Sequence, residues 1–283
     1  VAQSRKEIES HLRALGTHPK HRFGQNFMTD GNIVRQIADA AELKDFDQVI
    51  EVGPGTGTLT DELLPRCARL VAVEVDRDLS QHLRTRFAAE TKFELIEGDA
   101  LSGKHAVNET LQDLILRGGS WKLVANLPYN IASPLIIELL ILGVETLVFT
   151  VQKEVADRLK ASASDDAYGP LSVMASALAQ VEVLRTIPPG VFWPAPKIDS
   201  ALVRMRRREP RLMPTFDPRG FGTFVHAVFS YRRKTLKRAL TEAGHDAAAL
   251  LDGTGIDPTV RPEVLTPDQL LQLHRRARER PAG

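Results

Sequence analysis

Gln48-Val49-Ile50-Glu51-Val52-Gly53-Pro54-Gly55-Thr56-Gly57-Thr58-Leu59-Thr60 reads as an apolar strand that empties through a glycine-rich turn into the start of a helix. Glycines there permit a tight turn and let backbone amides approach a ligand. Two nucleotide-binding patterns share this outline, and both fail on spacing. A dinucleotide fingerprint needs G-x-G-x-x-G, but its sixth position here is Thr58. A phosphate loop needs Gly-Lys after four intervening residues, and that lysine is absent.

Working outward, Ile33, Val34, Ile37, Ala38 and Ala41 recur at helical spacing behind Asp30, a plausible cap, so a helix over 30–41 precedes the turn. Beyond it, strands over 70–75, 93–97, 122–125 and 146–151 alternate with helices over 59–66, 79–89 and 133–142, with a looser stretch around Gly118-Gly119-Ser120. Repeated strand–helix–strand units demand right-handed crossovers and a parallel sheet covered on both faces. Strands over 181–187 and 200–206 would form an antiparallel pair at one edge, giving seven in all. Past Pro210, short helices over 220–231, 234–243, 247–251 and 267–277 are joined by Gly, Pro and Asp turns. The expected organisation is a basic arm over 1–22, a doubly wound α/β domain over 23–208, and a smaller all-α domain over 209–283.

The chain has 283 residues, 43% hydrophobic and 26% charged, which suits an ordinary globular protein of one large domain or two. Its one cysteine, Cys67, excludes an internal disulfide and a cysteine-rich zinc site, so a reducing, cytoplasmic setting without a bound metal is expected. No charged segment followed by an apolar stretch stands in the first residues given, so export is not expected. The longest apolar run, 134–150, is broken by Glu138 and Glu145, so no membrane span is expected. Net charge is only +1, yet residues 1–183 hold 19 Lys and Arg against 26 Asp and Glu, whereas 184–283 hold 18 against 10. A basic tail on an acidic body suggests a polyanion docked by one end.

Three further strand tips carry polar groups. Glu74 follows Gly53 by 21 residues, the distance at which an acid grips a ribose, and Gly98-Asp99-Ala100 puts another acid at a carboxyl edge. The fourth tip is Asn126-Leu127-Pro128-Tyr129: an amide, a proline-stiffened backbone and an aromatic face, which together suit a flat polar group such as adenine. The plainer reading, in which Glu74 and Asp99 only cap helices, weakens once Asn126 joins the same rim. A ribose diol and an adenine amine without phosphates satisfy the set, and S-adenosylmethionine is such a ligand. Methyl transfer to adenine N6 would then have Asn126 and the Leu127 carbonyl accept the two amino hydrogens, Pro128 stiffen the frame and Tyr129 stack on an unstacked base. The proline-rich loop over 187–196 would present Phe192 as the second face of an aromatic clamp.

Gly24-Gln25-Asn26-Phe27, the glycine turn, Glu74, Gly98-Asp99-Ala100, Asn126-Leu127-Pro128-Tyr129-Asn130, Gln152-Lys153-Glu154, the 192–203 segment and Tyr231-Arg232-Arg233-Lys234 together resemble the KsgA/RsmA family of small-subunit ribosomal RNA adenine N6,N6-dimethyltransferases, over essentially the whole chain. The resemblance implies a Rossmann-like class I methyltransferase domain with S-adenosylmethionine touching Asn26, Met28, Gly53, Gly55, Glu74, Asp99, Ala100 and Asn126. Met28 stands where the family usually has leucine, a near-isosteric exchange. It further implies a monomer that dimethylates two adjacent adenosines in the 3′-terminal hairpin of 16S rRNA, on a pre-30S particle late in assembly, with loss linked to kasugamycin resistance. Arg204, Arg206, Arg207 and Arg208, with Arg232, Arg233 and Lys234, would hold RNA phosphates. The rival readings are a 23S rRNA adenine methyltransferase of the antibiotic-resistance type and a non-catalytic assembly or transcription factor that kept the fold.

Overall fold

A computed structural model describes residues 3–103, 106–208 and 216–279. In chain order its elements are helix α1 (Arg5–Ala14), strand β1 (Phe27–Met28), α2 (Gly31–Ala40), β2 (Gln48–Val52), α3 (Thr58–Leu63), β3 (Arg69–Glu74), α4 (Arg77–Arg86) and β4 (Phe93–Glu97). There follow β5 (Leu101–Gly103), β6 (Ala106–Val107), α5 (Glu109–Leu116), β7 (Trp121–Asn126), α6 (Ala132–Leu142), β8 (Thr146–Gln152), α7 (Lys153–Lys160) and α8 (Pro170–Leu178). The chain continues through β9 (Ala179–Ile187), β10 (Phe192–Trp193), β11 (Ser200–Arg207), α9 (Pro218–Phe229), α10 (Leu236–Glu242), α11 (Ala247–Leu251) and α12 (Pro267–Glu279).

The main sheet runs β4-β3-β2-β7-β8-β11-β9. Its first five strands are parallel neighbours, as the alternation predicts, and β11 pairs antiparallel with β8. The edge place belongs to β9, so the two late strands are stacked outward from β8. Strand order reverses direction between β2 and β7, and a crevice opens at such a switch point beyond the carboxyl ends of the strands. Asp30 caps α2 as expected, accepting from the amides of Asn32 and Ile33. That helix buries Ile33, Val34 and Ile37 in a core cluster with Val49, Leu70, Val124, Val148 and Leu202.

The described residues fall into two compact units, and their division differs from the expected boundary at 208. One unit holds the chain up to Ala156 and Val181–Arg207; the other holds Asp157–Gln180 and the residues from Arg208 on. The helical unit is thus discontinuous. The reason lies in α8, which buries Leu171, Val173 and Met174 and packs with α9 and α12, whose partner faces lie far along the chain. Residues 209–215, where the second domain is expected to begin, lie outside the described residues.

Within the basic arm over 1–22, the described residues from Gln3 on carry the helix α1. Ser4 and Glu7 form a capping box on α1, and Ile8 and Leu12 are buried against Phe27 and Leu79. Gln3 also bonds Thr56 in the glycine turn, through its amide to the carbonyl at 3.0 Å and with the Thr56 hydroxyl at 2.7 Å. Among the described residues, no helix is long and apolar enough to cross a membrane.

Candidate active site

One cleft of about 850 Å3, its mouth included, collects the tips of β2, β3, β4 and β7, and residues 23–28 form another wall. Asn26, Met28, Gly53, Gly55, Glu74, Asp99, Ala100, Asn126, Leu127, Pro128 and Tyr129 all line it, so the structure brings together every residue singled out for cofactor and base except Phe192. The glycine turn is where close approach matters. At Gly53 (φ 69°) a Cβ would meet Pro128 at 3.3 Å, and at Gly55 (φ 62°) it would meet the Phe27 ring at 3.0 Å. Both have a left-handed backbone that side-chain-bearing residues avoid.

Glu74 is held from two sides: the Asp76 amide donates to Oε1 at 2.9 Å and the Gly55 amide to Oε2 at 3.2 Å. It caps no helix. Asp76 caps α4, and Asn108 caps α5, so neither acid at the rim is accounted for by helix ends. Asp99 is exposed, with Oδ1 accepting from the Leu101 amide. Burial pushes the Glu74 carboxyl up to about 7 against the pull of those amide bonds. Asp76 also anchors the 23–28 wall, since it accepts from Lys20 Nζ at 2.7 Å and Gln25 Nε2 at 2.9 Å, while Lys20 reaches Asp78 at 2.6 Å.

At the β7 tip, Asn126 Nδ2 donates to the Asn26 carbonyl at 2.8 Å, and Thr150 Oγ1 donates to Asn126 Oδ1. The Tyr129 hydroxyl pairs with Ser200 Oγ at 2.8 Å. Burial raises the Tyr129 phenol above its ordinary value, partly offset by that bond, so the ring stays neutral. A rim that offers an amide oxygen and an aromatic face beside a buried acid can seat two adenosine-like groups within one cleft.

A family model described as ribosomal RNA adenine dimethylase matches residues 16–279. The chain belongs to this family. Relatives of this dimethylase named ribosomal RNA small subunit methyltransferase A include one from Hahella chejuensis, 40% identical over 90% of this chain and 91% of that one, and one from Streptomyces coelicolor, 40% identical over 94% of each. Among solved structures, the dimethylase shares its fold with a dimethyladenosine transferase from Plasmodium falciparum (TM-score 0.74, 24% identical, covering 89% of this chain and 98% of that one). It is also similar to the 23S rRNA methyltransferase ErmE (TM-score 0.63, 26% identical, covering 89% and 99%). The dimethylase therefore has the class I S-adenosylmethionine-dependent methyltransferase fold with a helical part appended.

Two groups of expected site residues stand elsewhere. Phe192 is 3% exposed and belongs to the core cluster, because β10 pairs with β1 in the register Met28↔Phe192 and turns the ring inward. The phenylalanines that do line the cleft are Phe23 and Phe27. Among the arginines, Arg204 pairs with Glu42 and Glu182, Arg206 with Glu42, and the Nε groups of Arg207 and Arg208 donate to the carbonyls of Leu140 and Ser176. Each of these four therefore has a partner within the protein itself, and Arg208 stays exposed. Arg232, Arg233 and Lys234 are exposed and make no such contact among the described residues.

The dimethylase carries a second displaced acid in the cleft wall. Glu51 is buried, its Oε2 accepts from Thr60 at 2.7 Å, and desolvation pushes its carboxyl up to about 8. An acid whose folded pKa is raised contributes stability fully below its unfolded value, near 4.5, and loses it as pH climbs to about 8. Glu51→Gln, which keeps the acceptor for Thr60, is expected to melt higher than the parent at pH 8.5 and to flatten the stability profile between pH 5 and 8. Thermal melts of the unliganded protein across that range check it; parallel curves for the two proteins would refute the buried proton.

Proposed function

We propose that this chain uses S-adenosylmethionine to dimethylate N6 of two adjacent adenosines in the 3′-terminal hairpin of 16S rRNA, acting on a pre-30S particle late in assembly. The observation that carries the reading is the shared cleft: Asn126 and Tyr129 stand at the same mouth as Glu74 and the glycine turn. The residues fit the cofactor. Glu74, fixed by two backbone amides, would take the ribose hydroxyls, Asp99 the adenine amine, and the open glycine turn the remainder. When bound, S-adenosylmethionine supplies a methyl group on a positively charged sulfur that leaves as a neutral thioether.

Adenine N6 is a poor nucleophile because its lone pair is delocalised into the ring. Asn126 Oδ1 and the Leu127 carbonyl would accept its two hydrogens and draw the nitrogen toward a tetrahedral shape with its lone pair freed. The Nδ2 bond to Asn26 sets which end of the amide faces the base, since a carbonyl can only accept. Tyr129 would stack on the extruded ring, and Pro128 holds the backbone between them. The amino proton leaves after transfer, so the rim orients the base and needs no strong base of its own.

Arg232, Arg233 and Lys234 would hold phosphates of the RNA. The test pairs substrate and salt: purified protein should methylate 30S precursors and leave naked 23S transcripts unmodified, the reverse result favouring the reading that the likeness to ErmE supports. Reversing charge at Arg232 and Arg233 together should weaken particle binding and reduce the slope of log K against log salt by about one unit per lost phosphate contact. An unchanged slope would count against this basic face.

A further inference from the structure

We infer that two buried hydroxyls, Thr150 on β8 and Ser200 on β11, are positioning residues that hold Asn126 and Tyr129 in their base-handling orientation. The inference rests on the proposed roles of Asn126 and Tyr129. Both hydroxyl residues are fully buried, at 0% exposure. Thr150 lies in the run Leu147, Val148, Phe149, Thr150, Val151, whose other members are all buried and apolar, and Ser200 leads directly into buried Ala201, Leu202 and Val203. Packing alone would favour valine or alanine at these two places, because a buried hydroxyl costs free energy unless a partner takes it up.

The partner in each case belongs to the Asn-Leu-Pro-Tyr rim. Strands β7 and β8 are paired in the register Asn126↔Thr150, which puts the two side chains next to each other on one face, and Thr150 Oγ1 donates to Asn126 Oδ1. With Nδ2 held by the Asn26 carbonyl, the amide is fixed at both ends. Oδ1 keeps a lone pair for an incoming N–H. An amide turned over would present Nδ2–H to the amino group of the base, donor against donor. Ser200 sits opposite Gln152, the last residue of β8, and there it meets the Tyr129 hydroxyl. Tied at its hydroxyl and led by Pro128, the ring has little freedom to leave a stacking plane. The antiparallel strand β11 therefore serves the rim as well as the sheet.

Thr150→Val and Ser200→Ala are each expected to lower kcat on 30S precursors about tenfold, the size of one lost orienting hydrogen bond, with the KM for S-adenosylmethionine changed less than twofold. Thr150→Ser should restore most of the rate. Ser200→Ala combined with Tyr129→Phe should be no slower than either alone, since both remove the same bond. Wild-type kcat in Thr150→Val and Ser200→Ala, while Asn126→Ala and Tyr129→Ala are inactive, would overturn this inference and leave the roles of the rim intact. Activity retained in Asn126→Ala would instead remove the reading beneath it. If Thr150→Ser is as impaired as Thr150→Val and both melt lower, the threonine acts through packing alone and the inference fails.

Discussion

Asn126→Ala is expected to remain folded and to lose methyl transfer by about a thousandfold, the scale reached when one preorganised polar group at a reacting centre is removed. Two costs must be separated. The first is structural: the bond to the Asn26 carbonyl disappears and the Thr150 hydroxyl is orphaned, which together amount to about 1–3 kcal/mol. A domain of ordinary stability survives that loss. The second is chemical: without Oδ1, N6 keeps its lone pair in the ring and its hydrogens lack one of two acceptors. Single-turnover methylation of 30S precursors at saturating cofactor, read beside a thermal melt, distinguishes them. A variant that melts near the parent and methylates at the parental rate would show that the amide does no more than close the cleft.

Glu74 gives the second large effect, on cofactor affinity and its pH dependence. Burial disfavours the charge and pushes its carboxyl up to about 7. Only the ionised group can accept hydrogen bonds from both ribose hydroxyls while still accepting from Gly55 and Asp76. With the ribose held as proposed, binding would therefore select the deprotonated form. Affinity for S-adenosylmethionine is expected to fall about tenfold for each pH unit below 7 and to level off above 8, with a proton released on binding at pH 6. Titration calorimetry in buffers of different ionisation enthalpy measures that proton directly. Glu74→Gln should weaken binding about a hundredfold, because hydrogen bonds to a charged acceptor are lost and one fixed amide donor faces an NH2 group; it should also abolish the pH dependence. A pH-independent Kd in the parent would mean that the ribose does not meet this carboxylate. Neither result depends on the RNA, so a failure here leaves the Asn126 experiment standing.

Local pattern carried much of this protein. The strand-turn-helix at 48–60, the alternation that follows it and the acids and amide at three further strand tips could be read in one dimension, because side-chain periodicity and turn chemistry are properties of neighbouring residues. The rim itself was equally readable, since parallel strands in a doubly wound sheet bring their carboxyl ends to one edge whatever the loops between them do. The run of arginines at 204–208 shows the opposite case. An arginine on a strand reads the same whether solvent or Glu42 faces it, and Glu42 lies more than 160 residues away in sequence.

What tertiary structure alone decided was which groups are already spoken for. It buried Phe192 by pairing two short strands, and it lent α8 to a unit whose helices α9 to α12 come 40 or more residues later. It also set Thr150 beside Asn126 and Ser200 against Tyr129. Each of these is a contact between distant segments, fixed by register and packing, and such pairings exist only once the sheet has closed. Chemistry at the rim is inscribed in the residues; its aim is conferred by neighbours the linear order keeps apart.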